Sequence, residues 1–80
     1  MTGFPALLDL HGRRVVVVGG GAVAARRVRS LLEAGADVLV VTLEANDDLR
    51  ESDAHLELRS FADTDLDGAW LAMACTDDPV

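Results

Sequence analysis

Aromatic residues are scarce in this chain, and tyrosine is absent: 80 residues hold two Phe and one Trp. A core of stacked rings is therefore excluded. Val, Leu and Ala must fill it, which suits helices packed closely on a sheet. Cysteine occurs once, at Cys75, which excludes an intramolecular disulfide and any Cys-cluster zinc site. No signal peptide is legible, and no apolar run is long enough to cross a bilayer as a helix. A reducing, cytoplasmic setting and no membrane partner are expected. Basic residues are few: seven Lys and Arg face 14 Asp and Glu, a net charge of −7. Arg26, Arg27 and Arg29 cluster on one segment and are outnumbered elsewhere, so nucleic acid is not an expected partner.

What is present is apolar. Half of the residues are hydrophobic, too many for a disordered chain. At this length they make one small domain or part of one. The organising stretch is Arg14-Val15-Val16-Val17-Val18-Gly19-Gly20-Gly21-Ala22-Val23-Ala24. Four consecutive valines read as a strand buried on both faces, as in a parallel sheet. Gly19, Gly21 and Ala24 then match the G-x-G-x-x-G/A fingerprint of a dinucleotide-binding turn. Gly19 allows the tight turn. Gly21, without a Cβ, lets a pyrophosphate approach the backbone. Ala24 lets the helix pack close to the strand. The N–H groups that open the helix would face the phosphates, aided by the positive end of the helix dipole.

Taken in order, Met1 to Gly12 is a lead-in segment, with apolar Ala6, Leu7, Leu8 and Leu10 and a turn at His11-Gly12. A lone histidine there reads as a loop residue, since no second ligand stands at metal spacing. The first strand is expected over about Arg13 to Val18 and the first helix over about Ala22 to Ala34. Ala24, Val28, Leu31 and Leu32 share one helical face, and Gly35 is the expected stop. The second strand is expected over Asp37 to Thr42, completing a unit of the size of a βαβ crossover.

In a dinucleotide site, an acid at the end of the second strand takes the adenosine ribose hydroxyls. Here Thr42-Leu43-Glu44 follow, and Glu44 stands two residues past the usual place. It reads equally as a ribose ligand or as a first-turn helix acid. A negative charge here, with no arginine until Arg50, favours NAD over its 2′-phosphorylated relative. Ala45 to Asp53 is expected to form a short solvated helix, with Asn46, Asp47 or Asp48 as its cap. The third strand, about His55 to Arg59, alternates wet and apolar residues and suits a sheet edge. Phe61 to Gly68 is an aspartate-rich loop that lacks the glycine and glutamate of a calcium loop. The fourth strand, Ala69 to Ala74, is apolar throughout and expected to be buried beside the first. Thr76 and Asp77 leave its carboxyl end, where open α/β sheets bind ligands. Asp78-Pro79 reads as a helix start with no helix behind it, so the chain is expected to be part of a longer protein.

The expected fold is α/β: a Rossmann-like parallel sheet of order 3-2-1-4 in a three-layer αβα arrangement, broken off after the fourth strand. Residues 1–80 would be the N-terminal part of an NAD(P)-binding domain. Beyond this fold, Leu8-x-Leu10-x-Gly12-Arg13, Val17-Val18-Gly19-Gly20-Gly21-x-Val23-Ala24-x-Arg26, Leu32-Glu33-Ala34-Gly35-Ala36, Leu66-Asp67-Gly68-Ala69-Trp70-Leu71 and Thr76-Asp77-Asp78 together resemble the N-terminal module of the siroheme synthase family, precorrin-2 dehydrogenase and sirohydrochlorin ferrochelatase. The resemblance runs over nearly the whole chain. It implies oxidation of precorrin-2 to sirohydrochlorin with NAD as acceptor. It also implies iron insertion in many members, a homodimer, and frequent fusion to a methyltransferase. Carried over by position, Ala22 and Val23 would bind the NAD pyrophosphate through backbone N–H groups. Leu43 and Glu44 would flank the adenosine, and Thr76 and Asp77 the nicotinamide side. Gly19, Gly20 and Gly21 complete the expected cofactor site. The sequence departs from the family at Ala22, where a polar or acidic residue is frequent, and at Thr42-Leu43, where a proline commonly follows. The aspartate to which the family's chemistry is attributed would lie beyond Val80, so no catalytic residue is expected here. Two rival readings are a non-catalytic nucleotide-sensing module and a folded remnant that binds nothing.

Overall fold

β-branched residues at four successive positions favour extended backbone, and β1 (Arg14–Val18) is accordingly a central strand of the sheet. The computed structural model describes residues 9–75. After β1 come α1 (Ala22–Glu33), β2 (Asp37–Thr42), α2 (Asp47–Arg50), β3 (His55–Leu58), a 3-10 turn (Asp63–Leu66) and β4 (Leu71–Ala74). All strand pairs are parallel, and the order is β3-β2-β1-β4, as expected. Val16 lies opposite Leu39 on one side and Ala72 on the other, so these three share a face.

That alternation divides the core in two. Val15, Val17, Val38 and Val40 form one cluster with Ala24, Val28 and Leu31 of α1 and Leu49 of α2. Both helices therefore cover the same face. On the other face Val16, Leu39 and Val41 are buried, with Val18 and Ala69 packed against them. The link from β3 to β4 must cross the sheet from edge to edge. Its Ala69 belongs to this second cluster, so the link runs over this face.

Helix α1 ends where Gly35 allows it to. Gly35 has φ +82°. Its N–H bonds to Leu32 O at 3.0 Å, and the Ala36 N–H bonds to Leu31 O at 3.1 Å. This pair of bonds is the Schellman pattern, and it satisfies two of the last carbonyls. The Gly35 carbonyl accepts from Gly12 N–H at 2.8 Å, which ties the lead-in turn to the end of the helix. His11 lies over the same glycine: a Cβ at Gly35 would come 2.5 Å from His11 Nδ1. Its place is structural.

Three strand boundaries differ from expectation. β1 begins at Arg14, β3 ends at Leu58 and β4 begins at Leu71. Ala69 N–H is spent closing the turn onto Leu66 O at 3.0 Å, which delays the strand. β4 is not buried throughout: Leu71 and Met73 are half-buried and Ala72 and Ala74 exposed. Among the described residues it pairs with β1 on one side and with no strand on the other, so it lacks the cover that a central strand receives. Thr76, Asp77 and the helix start at Asp78-Pro79 lie outside the described residues, as do Ala6, Leu7 and Leu8.

Candidate functional site

The carboxyl ends of β1, β2 and β3 meet at one edge of the molecule, and the glycine turn is at their centre. Gly19 has φ +140°, open to glycine almost alone. A Cβ there would collide with the Cys75 carbonyl, so β1 and the end of β4 meet across this residue. Gly20 is crowded from the other side, where a Cβ would strike the Glu44 carbonyl. The Gly20 carbonyl accepts from Asn46 N–H at 2.9 Å, and Thr42 Oγ1 donates to Glu44 O at 2.8 Å. The turn after β1 and the loop after β2 are thus one packed unit. Sequence alone gave Gly20 no separate task; its task is this contact.

Gly21 is the N-cap of α1, with an ordinary φ of −98°. Among the described residues no side chain caps the helix, and its first turn holds no acid. The first intrahelical bond runs from Ala25 N–H to Gly21 O at 3.0 Å, so Ala22, Val23 and Ala24 stand ahead of it with no carbonyl of the helix to bond. A helix start without cap or carboxylate leaves its dipole and its N–H groups for an external anion. This arrangement fits the pyrophosphate of a dinucleotide.

Beside the turn is a cavity of about 330 Å³. Val18 and Gly19 line it from β1, and Val41, Thr42 and Leu43 from β2. Arg59, Ser60 and Phe61 close it from the end of β3. Leu43 is 70% exposed, its side chain free at the rim. Glu44 is exposed in the same loop. Of the expected residues, Gly19 and Leu43 line this cavity, Gly20 and Glu44 pack against each other in the loops beside it, and Gly21, Ala22 and Val23 form the adjoining helix start. Arg59, Ser60 and Phe61 were missed. Their signal was position: they follow the third strand directly, and the carboxyl ends of a parallel sheet converge.

Arg59 is fixed in place. Its Nη1 donates to Asp65 Oδ2 at 2.9 Å and its Nη2 to Asp65 Oδ1 at 2.6 Å. Nη1 also reaches Ser60 O at 3.1 Å, and Nε stands 3.5 Å from Glu57 Oε1. Asp65 in turn accepts from Ala62 N–H at 2.8 Å. The Arg59 hydrogen bonds, with that backbone N–H, hold the Asp65 carboxyl down at about 2. At the other margin, burial pushes the Cys75 thiol up, against the pull of Arg27. Cys75 is thus a buried side chain in the wall of the turn.

A parallel sheet with an open glycine turn and an uncapped helix at its carboxyl edge defines a dinucleotide-binding α/β protein. Comparison with known proteins agrees. Residues 6–80 match the family described as "Putative NAD(P)-binding". The chain belongs to this NAD(P)-binding family. It is 46% identical over 78 residues to a siroheme synthase of Pseudomonas fluorescens (strain SBW25), and 45% identical over 80 residues to one of Azotobacter vinelandii. These alignments cover 92% and 95% of the chain but 17% of each relative. Among solved structures, SirC, a precorrin-2 dehydrogenase, superposes with a TM-score of 0.84 at 30% identity, over 94% of this chain and 40% of that one. The expected family resemblance, strand order and nicotinamide dinucleotide all stand.

Proposed function

We propose that this chain is the NAD-binding part of a precorrin-2 dehydrogenase of siroheme biosynthesis. The observation that carries the reading is the start of α1: a glycine cap, no capping side chain and no first-turn acid, on a chain 46% identical to a siroheme synthase segment. In this reading the N–H groups of Ala22 and Val23 bind the pyrophosphate, and Gly19, Gly20 and Gly21 hold the backbone close to it. Leu43 and Glu44 take the adenosine ribose, and Thr76 and Asp77 stand toward the nicotinamide. The dinucleotide supplies the hydride acceptor. The protein's own contribution is to bind and orient it. The catalytic group, any ferrochelatase (lyase) activity, the homodimer and a methyltransferase fusion belong to the longer protein. A cytoplasmic location goes with this soluble-substrate chemistry, and no helix among the described residues is long and apolar enough to cross a membrane.

An NADH titration followed by nicotinamide emission tests the reading. Trp70 is not the better reporter: it precedes β4, four strand residues (about 13 Å) from the carboxyl edge. It stacks under the Arg13 guanidinium, 4.7 Å from the ring centre, and reports on folding instead. Gly21→Asp makes the test sharp. Aspartate is a preferred N-cap residue at such a backbone geometry, so the variant should fold at least as well as the parent. Its carboxylate would then sit where the pyrophosphate binds. Saturable binding lost in Gly21→Asp is the expected result; equal affinity in the two would sink the site. Precorrin-2 oxidation by the full-length protein separates a dehydrogenase from a nucleotide-sensing module.

A further inference from the structure

Among the described residues, the Arg59 guanidinium is the one cation lining the cavity at the ends of β1, β2 and β3, and it is already engaged. Three of its five N–H groups are hydrogen-bonded, two to Asp65 and one to Ser60 O, and its Nε faces Glu57 at 3.5 Å. The fork that would grip a phosphate is turned wholly onto Asp65. Arg50, the arginine nearest in sequence to the loop after β2, donates its Nε to Ala45 O at 3.0 Å and does not line the cavity. A phosphate entering beside Leu43 would meet a cation covered by two carboxylates, with Glu44 in the same loop. A hydroxyl there would meet no such opposition.

We propose that Asp65 sets the choice between the two nicotinamide dinucleotides by keeping Arg59 occupied. The inference rests on the proposed function and deepens it: Asp65 acts through Arg59 as a positioning residue, selecting a free ribose 2′-hydroxyl over a 2′-phosphate. Asp65 suits the role because its side chain is only 7% exposed, whereas that of Arg59 is 42% exposed. The carboxylate is shielded and the guanidinium is within reach of a ligand.

The test is a pair of titrations, NADH and NADPH, on the wild-type chain and on Asp65→Asn and Glu57→Gln. Asp65→Asn releases the fork and removes one negative charge. NADPH should then bind at least about tenfold more tightly relative to NADH, the scale of one charge-assisted hydrogen bond. NADH affinity should hold within about twofold. The gain should shrink at high salt, because both partners are near the surface. Glu57→Gln, at a half-buried position, removes the second carboxylate and should shift the ratio in the same direction but by less, because the fork stays on Asp65; if circular dichroism shows Asp65→Asn unfolded, Asp65→Ser, which frees the fork in the same way, decides in its place. An unchanged NADPH-to-NADH ratio in the folded variants overturns the proposal and leaves Arg59 as a brace. A folded wild-type chain that binds neither nucleotide overturns the proposed function and this inference with it, a result distinct from binding without discrimination.

Discussion

Gly20 shows how much of a ligand site is decided by backbone meeting backbone. Its missing Cβ makes room for the Glu44 carbonyl of the same chain, and the Asn46 N–H bond to Gly20 O depends on that closeness. Gly20→Ala must therefore push the loop after β2 outward. Overpacking of this kind costs about 1–3 kcal/mol. Gly12 is the natural control. It has φ +72° but open space where a Cβ would go, so Gly12→Ala carries only the backbone penalty of about 1 kcal/mol. Urea denaturation should rank Gly20→Ala as the less stable of the two and show weaker NADH binding for it. Equal stabilities would mean that the loop yields freely and that Gly20 is replaceable.

At the scale of elements, the clamp between the end of β3 and the 3-10 turn gives a pH dependence with a definite sign. Asp65 has an ordinary value of 3.8 and is held at about 2 in the folded chain. A carboxyl depressed by folding stabilises the fold fully above its unfolded value. That contribution is lost as pH falls through the folded value. Denaturation midpoints of wild type and Asp65→Asn, taken from about pH 5 down to about pH 2, should differ by a constant amount at the upper end and converge at the lower. A gap that stays constant across the series would show that Asp65 contributes by shape rather than by charge. The clamp was not legible in the sequence. The aspartates at 63, 65 and 67 read only as a loop, and nothing in a spacing of six residues across irregular chain announces an ion pair. The strands were legible because period-two burial and runs of valine are local properties. β2 matches its expected span, Asp37–Thr42, to the residue. The cap of α2 was legible to within three candidates. Asn46 takes the place through its Oδ1, which accepts from Leu49 N–H at 3.0 Å. The cavity wall at Arg59, Ser60 and Phe61 was not, since it depends on where three strand ends converge.

For the whole molecule, the two edges of the sheet are unequal. β3 carries His55 and Glu57, joined at 2.7 Å, with Arg59 just beyond, and charge on an edge strand discourages pairing with another chain. β4 carries Leu71, Ala72, Met73 and Ala74 and no charge, and among the described residues no strand pairs with its outer side. An uncharged, unpaired edge is a template for strand addition. The net charge of −7 acts against it by repelling one copy from another. The two effects respond differently to salt. Repulsion between surface charges is screened over about 8 Å at physiological ionic strength, whereas edge pairing is short-ranged and is not. Self-association should therefore rise with both protein concentration and salt. Sedimentation velocity at low and high salt measures it directly. Ala72→Glu, at an exposed position on the bare edge and outside both core clusters, should hold the chain monomeric under both conditions. A wild-type chain that stays a single monomeric species at high concentration and high salt would show that the β4 edge is protected. The exposed alanines at 72 and 74 would then be a covered face rather than a point of contact.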